Sequence, residues 1–414
     1  MTTAAVEQGS PMQMTGDEGG IINNQADFIA AKAISGTMLT KKGGGWLKLT
    51  ANNSSLTRLV IAGGTVQCQG IGTPAKTVEF QGGTLNEGAS SSYAIDVPEG
   101  KTGTWYMANR CTYSNKVTGK GTLNAYCVTE KGTNYYATRT PVQCNFSEFE
   151  GTLKPSSSLD DPSCLRFTLN TSTGMPKGTM NIAATVEVQN SGKAFRIGKV
   201  TGSGKLGGSC TFSNGSSVGA NTWQVGNDED WATSVKVTSN ANFVKVGHGR
   251  ITWNSVNDNT GATTVSEGEL KLGANAQLGT GKLTVSQGAV LVFSSKPKAL
   301  NNSAYAINGT ILIELNAGHT LQVGDSIRLW NAKTLTGNPT VEGTDGIEWD
   351  ASRLSEGLVF VKSINTGMRT VEISESHPVD IYDLRGQLVR QQATSVRGLK
   401  PGVYVVEGRK MVVR

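Results

Sequence analysis

The densest group of side chains that could do chemistry is Asp228, Glu229 and Asp230, with Trp231 beside it and Trp223 shortly before, in GANTWQVGNDEDW (219–231). Carboxylates accept hydrogen bonds from sugar hydroxyls, and aromatic faces can stack on sugar rings. These five residues are therefore the candidate glycan contact, set against the plainer reading of a solvated acidic loop. The stretch lacks the glycine and distal glutamate of a calcium loop, so no metal is expected there.

Other candidates are weaker. Asp325 and Asp345 stand twenty residues apart, a coincidence to be expected among 32 acidic residues. Asp258 sits in NDNTG, where an Asx turn explains it. His248 lies between two glycines in GHG, where a related stretch has Gly44, which marks a turn and not a base. No GxSxG elbow occurs. With three histidines and no CxxC pair, a zinc site has little to work with. No catalytic residue, cofactor or metal is assigned.

These side chains must be held by short strands and turns. Glycine is 52 of 414 residues and charged residues are 17%, against ~7% and ~25% in ordinary domains. Segments such as TVEVQ (185–189), SVKVTS (234–239) and ILIEL (311–315) read as strands. Only DFIAAKAI (27–34) reads as helical. The composition is that of an all-β protein with many turns. The formal charge of +6 comes without the basic, aromatic-interleaved stripe of a nucleic-acid binder. No apolar run is long enough for a transmembrane helix. Six cysteines all lie between Cys68 and Cys210, an even number that suggests disulfides in an exported chain, with burial of free thiols as the alternative.

The chain repeats. KKGGGWLKLT (41–50) followed by VIAGGTVQCQ (60–69) aligns with KVGHGRITWN (245–254) followed by TVSEGELKLG (264–273). Lys41 and Lys245 recur at one place in the unit, so they read as architecture. The apolar-x-x-Gly-x-apolar unit returns at Phe80–Leu85, Val285–Val290 and Ala306–Ile311, after 19 to 21 residues each time. A period near twenty with a glycine turn is what a stacked β-coil requires, because one coil cannot bury its apolar face alone. KVTGKGTLNAYC (116–127) and KVTGSGKLGGSC (199–210) share a looser match, and 89–240 reads as the same architecture with longer insertions. Residues 1–36 read as an N-terminal edge, partly disordered or truncated, and 37–365 as the coil.

The stretch 257–293 resembles the autotransporter-associated β-strand repeat through Thr260-Gly261, Thr263, Val265, Gly268, Leu270, Leu272, Leu278-Gly279, Gly281 and Val285. That resemblance implies a right-handed parallel β-helix. HTLQVGDSIRLWNA (319–332) and GIEWDASRLSEGLVFV (346–361) are similar to the elements that close such a domain.

The last residues, 378–414, show Tyr382-Asp383-x-x-Gly386, then Gly402-x-Tyr404, then Lys410-x-Val412-Val413-Arg414. Alternation about Tyr404 and a Glu407-Gly408 turn give a hairpin. This pattern resembles the C-terminal sorting domain of Bacteroidetes type IX (Por) secretion substrates. It implies a small C-terminal β-sandwich over about 366–414, read by the type IX secretion machinery and removed when the protein is anchored on surface lipopolysaccharide. The N-terminus lacks the basic-then-apolar pattern of a secretory signal, so the chain is expected to be part of a longer protein.

The expectation is an extracellular or outer-membrane-surface β-helix acting as an adhesin-like display scaffold that contacts glycans or host macromolecules. The alternative is a carbohydrate-active enzyme, either a polysaccharide lyase or a hydrolase, or the non-catalytic C-terminal part of one.

Overall fold

Alternation along the short strands sends every second side chain inward. A computed structural model describes residues 6–68, 70–108, 111–127, 142–157, 165–209, 219–344, 346–364, 378–400, 402–406 and 409–413. Through 6–344 the chain winds as a parallel β-helix. Its largest sheet has sixteen strands, each hydrogen-bonded to a strand roughly one coil away. Inward columns run along the axis in strict register. One passes through Leu47, Val66, Leu85, Trp105 and Ala125. The next passes through Leu49, Cys68, Glu87, Met107 and Cys127. Both columns are buried, and they belong to one continuous core that reaches Val361.

In the first half each coil has a strand such as Leu56–Ile61, a glycine corner, then a strand such as Thr65–Cys68. A third face is narrower, marked by single parallel bridges from Ser91 to Tyr113 to Val142 to Leu169. It widens into the strands Leu165–Leu169, Val186–Asn190, Lys205–Ser209 and Lys236–Val237. Two long strands, Met175–Ile182 and Ala194–Gly202, span a corner. Their second halves pair together in line with Thr152–Leu153, while the first half of the latter pairs with Thr222–Val225. The sixteen-stranded sheet thereby passes from one face of the coil to the adjoining one. From Trp231 onward a separate six-stranded sheet begins, ending at Thr340–Gly343.

Lys41 and Lys245 consequently occupy the same corner, as their sequence repeat implies. The KVTG pair does not. Gly119 ends Lys116–Gly119 at one corner, and Gly202 ends Ala194–Gly202 at another. Both have φ near +100°, 102° and 93°, a region that L side chains avoid. A Cβ would drive into the carbonyl of Val97 at the first and of Ile182 at the second. The shared sequence marks a type of corner, not a particular face.

Three expectations change. Coil structure begins by Val6–Gln8, which pairs in parallel with Phe28–Ala30, so the first coils lie inside the stretch read as an irregular edge. The supposed helix at 27–34 is strand Phe28–Ala30 and the start of Ile34–Lys42; stacking on neighbouring coils overrides the local preference of its alanines. The segment 89–240 is continuous coil wherever it is described, because the sixteen-stranded sheet runs through it unbroken.

The helix closes with an antiparallel sheet of Ser326–Arg328, Leu358–Ile364 and Ile347–Asp350. Ile327, Trp349, Val359 and Val361 extend the helix core, and covering a terminal coil protects its strand edge. Residues 378–413 form a separate four-stranded antiparallel sheet in the order Leu388–Ala393, Val379–Tyr382, Gly402–Val406, Arg409–Val413, with its own small core of Val379, Ile381, Ala393 and Val406.

Candidate functional site

The sequence-predicted contact residues separate by depth. Trp223 is fully buried, donating from Nε1 to the Gly207 carbonyl at 2.8 Å and meeting Phe195 edge-on with ring centroids 6.1 Å apart. Trp231 is 8% exposed, and its Nε1 donates to Asn227 Oδ1 at 3.0 Å. Neither indole offers a ring face to the surface. Asp228, Glu229 and Asp230 are exposed.

Two of these carboxylates serve the next coil. Asp228 Oδ1 accepts from the His248 backbone N–H at 2.9 Å and lies 3.0 Å from His248 Nδ1. Asp230 Oδ1 accepts from the Arg250 N–H at 2.7 Å. The His248 backbone and side-chain hydrogen bonds hold the Asp228 carboxyl below its ordinary value. The first half repeats this device: Gln25 Oε1 accepts from Gly44 N at 3.2 Å, and Asp27 Oδ1 from Trp46 N at 3.3 Å. A polar side chain about twenty residues before a Gly-x-Gly corner was therefore a readable signal of coil-to-coil capping. It is hidden if 1–36 is set aside as an edge.

At the same corner, Lys41 and Lys245 are fully buried. Lys41 Nζ donates to the carbonyls of Lys42 (2.6 Å), Gly43 (2.8 Å) and Gly63 (3.3 Å). Lys245 Nζ donates to Val246 (3.1 Å), Gly247 (2.7 Å) and Glu267 (3.1 Å). Each ammonium ties its own turn to the turn of the following coil. Burial lowers both, Lys245 to about 8. The architectural reading of these lysines holds.

The remaining minor candidates have partners within the protein where described. Asp258 pairs with Lys236 at 2.6 Å. Asp325 Oδ2 accepts from the Gln322 N–H at 2.8 Å; its partner in the twenty-residue spacing, Asp345, lies outside the described residues. Cys68, Cys111, Cys127 and Cys144 are free thiols, three of them buried; Cys164 and Cys210 lie outside the described residues. Burial, not pairing, thus accounts for Cys68, Cys127 and Cys144, and Cys111 is an unpaired, half-buried thiol. No group of three or more metal-ligating side chains comes together among the described residues.

The surface does offer an aromatic pair that sequence reasoning missed. Tyr106 and Tyr126 are register partners on the outer face of adjacent coils, half-buried, with ring centroids 4.8 Å apart and planes 20° apart. Thr104 and Asn124 pair beside them, and Asn124 Nδ2 donates to Thr104 Oγ1 at 3.4 Å. The twenty-residue offset between two outward tyrosines was the available clue. It becomes visible only once strand phase says which residues point out.

In the C-terminal sheet, Tyr382 ends its strand and Asp383 opens a turn. Asp383 Oδ1 accepts from the N–H groups of Arg385 (2.8 Å) and Gln387 (2.9 Å), and Gly386 takes φ = 80°. These backbone bonds, led by that of Gln387, lower the Asp383 carboxyl. Tyr404 Oη donates to the Lys400 carbonyl at 2.9 Å. Gly402 pairs with Val413 and Val403 with Val412, while Val405 pairs with Lys410. The hairpin is present; its turn residues Glu407 and Gly408, like Arg414, lie outside the described residues.

Against known proteins, no family model matches the chain and no curated protein matches it. Among the described residues, no helix is long and apolar enough to cross a membrane.

Proposed function

We propose that the chain is a secreted or cell-surface β-helix scaffold, exported by the type IX route through its C-terminal sheet and held on surface lipopolysaccharide, that contacts glycans or host macromolecules. The observation that carries the contact role is the set of outward columns, in which like side chains recur once per coil. Tyr106 and Tyr126 are the best example, with Thr104 and Asn124 alongside. Stacked strands sit about 4.8 Å apart, so a linear polymer laid along the axis meets a fresh group at each coil. Many weak contacts in series then give avidity that no single one has.

For the export role the support is the Tyr382–Gly386 turn and the Gly402–Val413 hairpin. They form a sheet with its own core, apart from the helix core. Such a unit can be recognised and removed without opening the coils.

The contact role is tested by titrating the full chain with soluble neutral and acidic polysaccharides. The double variant Tyr106→Ala/Tyr126→Ala should weaken binding of at least one of them about thirtyfold, on the ~1 kcal/mol per stacked aromatic expected at a partly exposed face. Unchanged binding of every polymer by the double variant removes these tyrosines from the contact surface.

A further inference from the structure

On the third face, a shallow cleft of about 440 Å³ is lined by Glu187, Lys205, Lys236, Thr238, Ser239 and Asp258. The lining is a column. Glu187 is the register partner of Lys205, and Lys205 of Lys236. The Asp258 N–H donates to the Val237 carbonyl at 3.2 Å, which places Asp258 on the next coil. Four charged side chains of alternating block sign, acid–base–base–acid, thus line up along the helix axis.

Three of the four charges are already engaged. Asp258 binds Lys236 at 2.6 Å, and Glu187 Oε1 accepts from Gln189 Nε2 at 2.7 Å. Lys205 has no ion-pair or hydrogen-bond partner among the described residues. Beside it, Thr238 is 7% exposed, and its hydroxyl likewise finds no partner among the described residues. A buried hydroxyl without a partner is costly in a finished protein, and one lining a cleft points to a missing ligand group. Ser239 adopts φ = 59°, unusual for a non-glycine residue, and its carbonyl accepts from the Thr260 N–H on the next coil at 2.6 Å.

Resting on the glycan-contact reading, we propose that this cleft binds an acidic sugar unit bearing one anionic group, within a linear polysaccharide running along the axis. The lone ammonium of Lys205 takes the anion. Thr238 and Ser239 exchange hydrogen bonds with ring hydroxyls. The free lone pairs of Glu187 and Asp258 accept from further hydroxyls. A neutral polymer would leave Lys205 unmatched. The anion could be a carboxylate or a sulfate ester, since a single ammonium serves either.

The test is equilibrium binding of the full chain to four probes: polygalacturonate, the same polymer fully methyl-esterified, a singly sulfated carrageenan, and a neutral β-glucan. The proposal expects polygalacturonate or carrageenan, whichever supplies the anion, to bind at least tenfold more tightly than the methyl ester and the glucan. Lys205→Gln should abolish that preference. Thr238→Val should weaken the acidic probe several-fold while leaving the salt dependence of binding unchanged. Thermal melts of both variants within a few degrees of the parent exclude misfolding as the cause. An acidic-polymer preference that survives Lys205→Gln overturns the cleft assignment while glycan contact stands. Binding of the neutral glucan alone has the same meaning. Binding of none of the four overturns both.

Discussion

Glu87 shows most clearly how one residue's surroundings set a measurable property. It faces inward between Cys68 and Met107, 1% exposed, and accepts from Trp105 Nε1 at 2.6 Å and Ser91 Oγ at 3.2 Å. Burial raises its carboxyl to about 7, and the Trp105 and Ser91 hydrogen bonds only partly oppose that rise. The folded state therefore holds a proton that the unfolded state releases near its ordinary value of about 4.5. Stability from this proton is full below pH about 4.5 and is lost as pH rises through about 7. The loss amounts to about 3 kcal/mol by pH 8. Denaturant melts from pH 4.5 to 8 should show that decline in the parent, and Glu87→Gln should flatten it. A parallel decline in the variant would show that Glu87 is not its source.

At the same scale, Lys245→Met deletes three hydrogen bonds to turn carbonyls and should cost about 1–3 kcal/mol of unfolding free energy at pH 7. Lys41→Met should behave alike, because the corner is the same. A gain in stability from either methionine would mean that the cost of burying the ammonium outweighs its bonds. The recurrence of these lysines was legible in sequence. Their burial was not, because a charged residue beside three glycines reads by default as a solvated turn.

Among the elements, legibility followed periodicity. The glycine corners, the twenty-residue step and the C-terminal hairpin could all be read, because each leaves a local mark in residue type. The bent strands Met175–Ile182 and Ala194–Gly202 could not. Their change of face arises from which half pairs with which neighbour, and both halves alternate in the same way. The tryptophans at 223 and 231 illustrate the same limit. In NTWQV and DEDWATS, a shift of strand phase by one residue moves an indole from surface to core. Composition around them, rich in Asp and Asn, favoured the surface. Gly202→Ala tests the corner geometry. Its methyl would press on the Ile182 carbonyl in a left-handed backbone, so a loss of more than about 1 kcal/mol is expected. A chemical melt indistinguishable from the parent would contradict the described corner.

For the whole molecule, the parallel coil and the antiparallel sheet are separate units, each with its own core. The helix core ends at the closing sheet of Ile347–Asp350 and Leu358–Ile364. The small sheet of 378–413 packs on its own core of Val379, Ile381, Ala393 and Val406. Removing that sheet should therefore leave the coils folded. The full chain and a form ending at Ile364 should give the same melting temperature for the β-helix transition. A lower melting temperature on truncation would mean that the sheet is a structural end piece. Sequence made the C-terminal hairpin legible through type and spacing alone. It left the cleft at Lys205 invisible, because Glu187, Lys205, Lys236 and Asp258 are scattered along the chain and meet only through stacking.

The most direct measurement is peptide mass mapping of the protein recovered from the surface of the cell that makes it. Export and removal of the C-terminal sheet should give peptides from the β-helix up to Ile364 and none from 378–413, with Lys410→Ala/Arg414→Ala retaining the whole chain inside the cell. Surface protein that still carries Val412 and Val413, or normal display of that variant, would contradict it.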